Sequence, residues 1–319
     1  EPERTAPNMR RLIEDENVLA VIGNVGTPTA ISAIPIANEG RTLFFAPFTG
    51  AGVLRKTPPD RYVINFRASY TEETSAIVDA LMEHGGLRPE EVAFFTQRDG
   101  YGDAGYAGGI SALLKNGLQS DAGITHGRYE RNTLAVENAL ADILLAEPEP
   151  KAVIMVGAYA PCAKLIQLAR QLGVTALFIN ISFVGSAPLA RVLGDKIEGV
   201  VVTQVVPHPT DISVPIVRNY LSSLNKFSKN GSPSFGGLEG YISSEILIRA
   251  LRSIEGLPTR ENVIDALEGM GEFDVGVGPL LYFDKTHHQA SHSVWPTVLQ
   301  RGRFVPFNWD EISGFLSNE

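Results

Sequence analysis

The sequence has little cysteine, no long apolar run and a shortage of positive charge. Cys162 is its single cysteine in 319 residues, so no disulfide can form within the chain. Because Cys162 flanks an apolar predicted strand, a small core residue is favoured over a reactive thiol. No stretch reaches the roughly 20 apolar residues that a membrane-spanning helix requires. We therefore expect no direct insertion into a membrane.

Positive charge is outnumbered: 27 Lys and Arg stand against 36 Asp and Glu, for a formal net charge of -9. Nucleic-acid binding requires clustered Lys and Arg that neutralise phosphates, so we expect no nucleic-acid partner. The six histidines show no HExxH and no other pair spaced for a metal. GxSxG and P-loop motifs are also missing from the sequence. We expect no metal, no cofactor and no enzymatic activity.

What the sequence does have is a regular alternation of apolar and amphipathic segments. Predicted strands lie at residues 18–23, 43–46, 62–66, 92–96, 124–129, 152–157, 176–181 and 200–205. Predicted helices lie between most of them, at residues 73–84, 104–115, 134–146, 161–172 and 188–193. This rhythm predicts parallel sheets with right-handed crossovers. A chain of 319 residues exceeds one ordinary core, so two lobes are expected.

The rhythm changes after Val206. Three helical patterns follow and then two β-like segments, at residues 212–227, 237–254, 260–270, 280–283 and 294–299. No long flexible linker is present. The lobes are therefore expected to be joined by short crossings near residues 68–69, 205–207 and 283–294.

Residues 18–50 read as a buried strand, a tight loop, a helix and a second strand. Thr27 is the predicted N-cap of the helix, with Pro28 at its first position and Gly40 at its end. A helix start of this kind presents backbone N–H groups and a hydroxyl, which suit a carboxylate or a phosphate. We interpret the chain as a receptor organised around this anion cradle.

Five motifs follow in the order and spacing of a known family: IEDENVLAVIGNVGTPTA, FFAPFTGA, FFTQRDGYGDAG, IMVGAYAP and GVGPLLYFD. They resemble the type I periplasmic binding proteins, most closely the leucine/isoleucine/valine-binding receptors of ABC importers. The resemblance implies an α/β fold of two Rossmann-like lobes, each a parallel sheet flanked by helices. It implies that three crossings join the lobes and that the lobes close over a small ligand. Lobe 1 would comprise residues 1–69 and 206–283, and lobe 2 residues 70–205 and 284–319.

The N-terminus departs from the family pattern. In the family, a strand, a helix and a second strand precede the position of Glu1. A βαβ unit of this kind, with its loops, is about 50 residues, and it is missing from this sequence. The chain also shows no signal peptide, so an exported protein would carry that segment outside this chain.

Four residues of lobe 1 match positions that contact the ligand in the family. Thr27 matches the hydroxyl that holds the ligand carboxylate; the alternative is a plain helix cap. Phe48, Thr49 and Gly50 follow the second strand, where the family holds the substituents of the ligand's α-carbon. Gly50 replaces a hydroxyl-bearing residue, so Thr49 is the expected donor. Phe48 is either a wall of the cleft or a core phenylalanine.

Four further candidates lie in lobe 2. Tyr101 and Tyr159 match two tyrosines that face the cleft; the alternative is that they are surface loop residues. Ser182, followed by Phe183, stands where the amino-acid receptors of the family carry an acid that pairs with the ligand ammonium. Since a desolvated ammonium without a partner is costly, this serine argues against an α-amino acid. With the phenylalanine of lobe 1, these aromatic residues suggest a cleft suited to a flat or apolar carboxylate.

Two charged residues and one glycine motif have alternative interpretations. Glu239 either replaces the missing acid or favours the helix dipole from a first turn. Arg67 either pairs with a carboxylate near a crossing or lies on the surface. The sequence Gly100-x-Gly102-x-x-Gly105 matches a dinucleotide-binding motif, but the adjacent acid and the bulky Tyr101 argue against phosphate binding. We interpret the glycines as a turn that exposes Tyr101.

These features predict an extracytoplasmic, periplasmic solute-binding receptor of an ABC importer. The ligand would be a small carboxylate, an amino acid or an aromatic or apolar acid, captured by hinge closure. The closed form would be recognised by the membrane permease of the importer. The alternative function is a ligand-sensing domain of a signalling receptor or regulator with the same fold.

Overall fold

The structure is a computed structural model, and it describes residues 1–228 and 230–316. Lys229 of the predicted lobe 1 and residues 317–319 of the predicted lobe 2 lie outside the described residues. Backbone contacts divide the chain into two compact units. Unit 1 comprises Glu1–Ser69 and Val205–Ser293, and unit 2 comprises Tyr70–Gln204 and Val294–Glu319.

The helices and strands follow one another much as the alternating pattern predicts. The helices are α1 (Pro2–Arg10), α2 (Thr27–Glu39), α3 (Tyr70–Glu83), α4 (Gly100–Lys115), α5 (Glu137–Leu144), α6 (Tyr159–Gln171), α7 (Ser186–Leu193), α8 (Pro215–Phe227), α9 (Phe235–Ser253), α10 (Arg260–Glu268) and α11 (Ser313–Leu316). The strands are β1 (Ala20–Ile22), β2 (Leu43–Phe45), β3 (Val63–Ile64), β4 (Val92–Gln97), β5 (His126–Tyr129), β6 (Ala152–Val156), β7 (Leu177–Asn180), β8 (Val201–Gln204), β9 (Gly271–Phe273), β10 (Leu281–Phe283), β11 (Trp295–Gln300) and β12 (Arg303–Pro306).

Unit 1 contains a parallel sheet of order β1-β2-β3 and a separate antiparallel pair, β9 and β10. Helix α2 turns a fully buried face of small residues, Ala30, Ala33 and Ala37, into a core shared with Phe44. Small side chains let a helix lie close to a strand, and close packing is what stabilises a short sheet of this kind. On the other face, β2 packs against residues from α8, α9 and α10.

Unit 2 contains a sheet of order β12-β11-β8-β7-β6-β4-β5. The strands from β5 to β8 are parallel, whereas β11 is antiparallel to both β8 and β12. All residues of β4 and β6 are buried, as expected for central strands with helices on both faces. The carboxyl ends of the parallel strands therefore lie along one edge of the sheet, where open α/β sheets bind ligands.

This mixed α/β organisation, with mostly parallel sheets flanked by helices, confirms the predicted fold class. Residues 284–293 belong to unit 1 by their contacts, although the sequence analysis assigned them to lobe 2. The reason is a parallel β-bridge directly after β3: Asn65 donates from its backbone N–H to His288 O at 2.7 Å and accepts from the N–H of Ala290 at 3.0 Å. In the part of the chain that the structure describes, none of the helices combines the length and apolar character of a membrane span.

Candidate ligand-binding site

The start of α2 differs from the prediction in one residue. Gly26 is the N-cap, with φ 97°, and Thr27 is the first residue of the helix, so the prediction that Thr27 is the cap is wrong. The physical reason is the backbone: a φ near 97° is readily adopted by glycine and not by a β-branched residue. Gly40 ends the helix as predicted.

The side chain of Thr27 makes a different contact instead. Its Oγ1 lies 2.7 Å from Oγ1 of Thr49, and both residues are buried, at 1% and 0% exposure. Thr49 Oγ1 also accepts from the N–H of Ala51 at 3.3 Å, and Gly50 between them is buried. The structure thus brings three of the predicted residues together at the positive end of the α2 dipole.

Phe48 belongs to a second cluster in unit 1, which contains both charged candidates. The Arg67 guanidinium lies over the Phe48 ring, 4.7 Å from its centroid, an arrangement that favours a cation. Arg67 Nε is also 3.5 Å from Oε1 of Glu239. Arg67 is 1% exposed, so the surface alternative is wrong and the predicted carboxylate pairing is present. Glu239 is the fifth residue of α9, after the N-cap Ser234, so its placement in a first turn was also wrong.

In unit 2, Tyr101 lies at the start of α4, just after β4. The side chain of Asp99 caps this helix by accepting from the N–H of Tyr101 at 2.9 Å. Tyr101 is 2% exposed, and its hydroxyl donates to Gly157 O at 3.4 Å. Burial raises the pKa of the Tyr101 hydroxyl well above its usual value, so it stays a neutral donor.

The glycines around Tyr101 are explained by packing, and the prediction that they expose it is wrong. A Cβ on Gly102 would lie 1.9 Å from Gln97 O, and one on Gly105 would lie 2.6 Å from Cγ2 of Val156. Further along α4, Gly109 would meet the Phe94 ring at 2.4 Å. Helix α4 therefore lies unusually close to β4 and β6, and only glycine permits that approach.

An aromatic cluster surrounds Tyr101 within unit 2. Its ring centroid is 4.7 Å from that of Phe183 and 5.4 Å from that of Tyr70, both tilted, which is a favourable geometry for ring pairs. Tyr159 is the first residue of α6 and is 41% exposed. It lies two residues after Gly157, whose carbonyl accepts from Tyr101. We name the rings of Tyr70, Tyr101 and Phe183 the unit 2 aromatic cluster.

Ser182 contacts an acid that the sequence analysis missed. Its N–H and its hydroxyl donate to the Glu73 carboxylate, at 2.8 Å and 2.9 Å. Thr203 Oγ1 donates to the same carboxylate at 2.5 Å. Position 182 has no acid of its own, but α3 places a buried one within hydrogen-bond distance. The argument against an α-amino acid, which was based on Ser182 alone, is therefore weakened.

Sequence reasoning did not find Glu73 and Tyr70, nor Thr203, which donates to Glu73. Glu73 and Tyr70 both lie in the first turn of α3, where an acid is ordinarily explained by the helix dipole. Nothing in the local pattern relates Glu73 to a serine 109 positions away. Among the described residues there is also no group of three or more His, Cys, Asp or Glu side chains that could hold a metal.

Comparison with known proteins gives a consistent result. The profile described as "Periplasmic binding protein" matches residues 1–303. A structure of a possible leucine/isoleucine/valine-binding protein from Rhodopirellula baltica SH 1 is 49% identical, with a TM-score of 0.94, and the alignment covers 98% of this chain and 83% of that one. A substrate-binding periplasmic protein from Ralstonia solanacearum is 26% identical, with a TM-score of 0.85 and coverage of 96% and 85%.

More distant structures share the fold. A branched-chain amino acid ABC transporter protein from Thermus thermophilus, solved with bound valine, is 19% identical, with a TM-score of 0.82 and coverage of 97% and 82%. No curated protein sequence matches the chain. The fold defines a class of solute-binding proteins, which are not enzymes. This chain belongs to the periplasmic binding protein family.

Proposed function

We propose that the protein is an extracytoplasmic solute-binding receptor of an ABC importer, located in the periplasm. It captures a small carboxylate-bearing ligand and presents it to the membrane permease. Membership of the periplasmic binding protein family supports this function, and so does the 49% identity to a possible leucine/isoleucine/valine-binding protein.

The observation that carries the proposal is the hydroxyl pair at the start of α2. Thr27 and Thr49 lie at the positive end of a 13-residue helix. Pro28 has no N–H, so the hydroxyls and the other N–H groups of the first turn are the donors there. Hydroxyls and N–H groups at a helix start form charge-assisted hydrogen bonds to a carboxylate. Unit 1 would hold the carboxylate, while Tyr101, Tyr159, Ser182 and Phe183 of unit 2 would contact the rest of the ligand after hinge closure.

Two ligand classes follow from the residues, and they differ by one group. The aromatic side chains favour an apolar or aromatic body, whereas the negative charge of the buried Glu73, which Ser182 contacts, favours an ammonium on the ligand without requiring direct contact with it. A screen should therefore use matched pairs: L-leucine with 4-methylpentanoate, and L-phenylalanine with 3-phenylpropanoate. Each pair differs only in the ammonium group.

The test is a thermal-shift screen of these compounds on the full-length mature protein, followed by calorimetric titration. Binding of at least one compound, weakened about tenfold or more by Thr27→Val (~1.4 kcal/mol), is the expected result. Tyr101→Phe is a better second variant than Tyr101→Ala, because removing a buried ring would cost about 3 to 5 kcal/mol of stability. Unchanged affinity in Thr27→Val would contradict the placement of the carboxylate. Tight binding of a phosphate or a sugar, and of none of the carboxylates, would contradict the proposed class of carboxylate ligands.

A further inference from the structure

The Glu73 carboxylate is the most completely enclosed acid near the candidate residues of unit 2. Glu73 is the fourth residue of α3 and is 0% exposed. An ionised group that leaves water must be compensated by hydrogen bonds or by an opposite charge. The described contacts supply three donors to this one carboxylate.

Two of these donors come from one residue. Ser182 approaches with its backbone N–H on Oε2 and its hydroxyl on Oε1, at 2.8 Å and 2.9 Å. A pair of contacts of this kind fixes both the backbone position and the side-chain rotamer of the serine. Ser182 opens the 3₁₀ turn Ser182–Val184, so the whole turn is held at its first residue.

The third donor connects the carboxylate to another strand. Thr203, the third residue of β8, is fully buried and donates its hydroxyl to Oε2 of Glu73. Glu73 therefore joins three elements at the carboxyl edge of the sheet: the first turn of α3, the connection after β7, and β8. Helix α3 begins at Tyr70 and β8 ends at Gln204, two of the three residues where unit 2 meets a chain crossing; the third is Val294.

The unit 2 aromatic cluster is attached at both ends to this arrangement. Phe183 follows Ser182 directly, and Tyr70 precedes Glu73 by three residues on the same helix turn. The Tyr101 ring is close to both, with its centroid 4.7 Å from that of Phe183 and 5.4 Å from that of Tyr70. A shift of the 3₁₀ turn relative to α3 would therefore separate the rings.

We propose that Glu73 is a positioning residue for ligand binding. Through the hydrogen bonds that it accepts from Ser182 and Thr203, it fixes the Ser182–Phe183 segment so that the Phe183 ring packs against the other rings of the unit 2 aromatic cluster. The inference rests on the proposed function and deepens it by naming what orders the unit 2 side of the site. The carboxylate matters because it accepts from all three donors. Glutamine has one acceptor oxygen and no charge, so the Ser182 hydroxyl would have to turn and accept from its NH2 group, and the two remaining hydrogen bonds would lose their charge assistance.

The experiment compares two buried glutamates of unit 2. Glu73→Gln is the test variant, and Glu91→Gln is its matched control. Glu91 is also buried, accepts from a backbone N–H (Arg88, 2.8 Å), and precedes β4, at the opposite end of the sheet from the candidate site. The probes are L-leucine, 4-methylpentanoate, L-phenylalanine and 3-phenylpropanoate, titrated by calorimetry at a temperature where every variant is folded.

Glu73→Gln should weaken the probe that the wild type binds best by about tenfold or more (~1.4 kcal/mol). Glu91→Gln should bind that probe like the wild type, even if its melting temperature falls as much as that of Glu73→Gln. Thr203→Val, which removes one donor and keeps the shape, should weaken binding by a smaller factor. If Glu73→Gln does not fold, Thr203→Val and Ser182→Ala carry the test by the same measurement.

A double-mutant cycle separates positioning from general destabilisation. If Glu73 acts through Ser182, the variant with both Glu73→Gln and Ser182→Ala should bind about as weakly as the worse single variant. Losses that multiply would show independent effects and overturn the inference. Affinity in Glu73→Gln equal to that of Glu91→Gln would also overturn it while leaving the proposed function intact. A wild-type protein that binds none of the four probes overturns both.

Discussion

Single residues at the start of α2 act as a pair. Thr27 and Thr49 share one hydrogen bond between their hydroxyls, so one hydroxyl donates its hydrogen and the other accepts it. A hydroxyl held in this way has a fixed direction, and a fixed direction lowers the entropic cost of binding a ligand oxygen. The two threonines should therefore contribute as one donor group and not as two.

This coupling gives the first prediction. Thr49→Val should weaken ligand binding by about as much as Thr27→Val, roughly tenfold or ~1.4 kcal/mol, because each change disrupts the same hydrogen bond. The variant with both changes should bind little worse than either single variant. Calorimetric titration of the three variants measures this, and Thr29→Val, whose hydroxyl bonds backbone within the helix start, is the control. Strictly additive losses would show that the hydroxyls act separately.

A second prediction concerns His126 on β5 and the response to acid. Burial, followed by the nearby Arg128 cation, lowers the pKa of His126 to about 4 from 6.5, while its ring stacks on Tyr106 at 3.8 Å. Because the folded-state pKa is below the unfolded one, stability from the neutral ring is complete above about pH 6.5 and is lost as the pH falls toward 4.

His126→Phe keeps a ring against Tyr106 but cannot take up a proton. The fall in melting temperature between pH 7.5 and pH 5 should therefore be smaller in this variant than in the wild type. His84→Gln, at an exposed position in the same unit, is the control and should leave the pH response unchanged. An equal response in wild type and His126→Phe would show that other groups govern the acid sensitivity.

At the scale of elements, α4 depends on its glycines for the closeness of its packing. Gly102→Ala should lower the free energy of unfolding by about 3 kcal/mol, because its Cβ would lie 1.9 Å from Gln97 O. Gly123→Ala in the same unit is the control, since nothing lies within 4 Å of its added Cβ. Urea denaturation of both variants measures the difference. A Gly102→Ala protein as stable as the control would mean that α4 moves away at little cost.

The positions of strands and helices were largely predictable from the sequence, whereas the contacts between them were less so. The apolar runs located strands such as β4 and β6 because central parallel strands are buried on both faces. The glycine motif was read correctly as the strand-to-helix turn but wrongly as a device for exposing Tyr101. Spacing alone cannot distinguish a glycine that frees the backbone from one that lets two elements touch. That distinction depends on which atoms an added Cβ would meet in the folded protein.

At the scale of the whole molecule, sequence motifs predicted the family, the fold and some of the candidate site residues, but not the contacts that organise them. Thr27 and Thr49 were predicted from a matched motif, whereas Glu73 and its contact with Ser182 come from parts of the chain far apart in sequence. For Arg67 the sequence left open a carboxylate pair or a surface position, and both the choice between them and the identity of the partner, Glu239, depended on the tertiary fold. Local patterns specify elements, and pairings between elements are set by packing.

A ligand that contacts both units should protect both from hydrogen exchange. At a concentration of 100 times Kd, binding stabilises the native state by about 2.7 kcal/mol. We expect slower exchange at the start of α2 in unit 1 and at Ser182–Val184 in unit 2, measured by mass spectrometry with and without ligand. The α11 segment Ser313–Leu316 of unit 2, which contains no candidate site residue, should exchange at the same rate. Protection confined to one unit would contradict capture by hinge closure.

The order of the strands has a consequence for biosynthesis. Strand β8 pairs with β11, which lies about 90 positions later in the chain, and β2 shares its core with α9 and α10. A nascent polypeptide can therefore complete the cluster between α2 and Phe44 early, but it cannot complete the core on the other face of β2 before α10 is made, or the sheet of unit 2 before β11 is made.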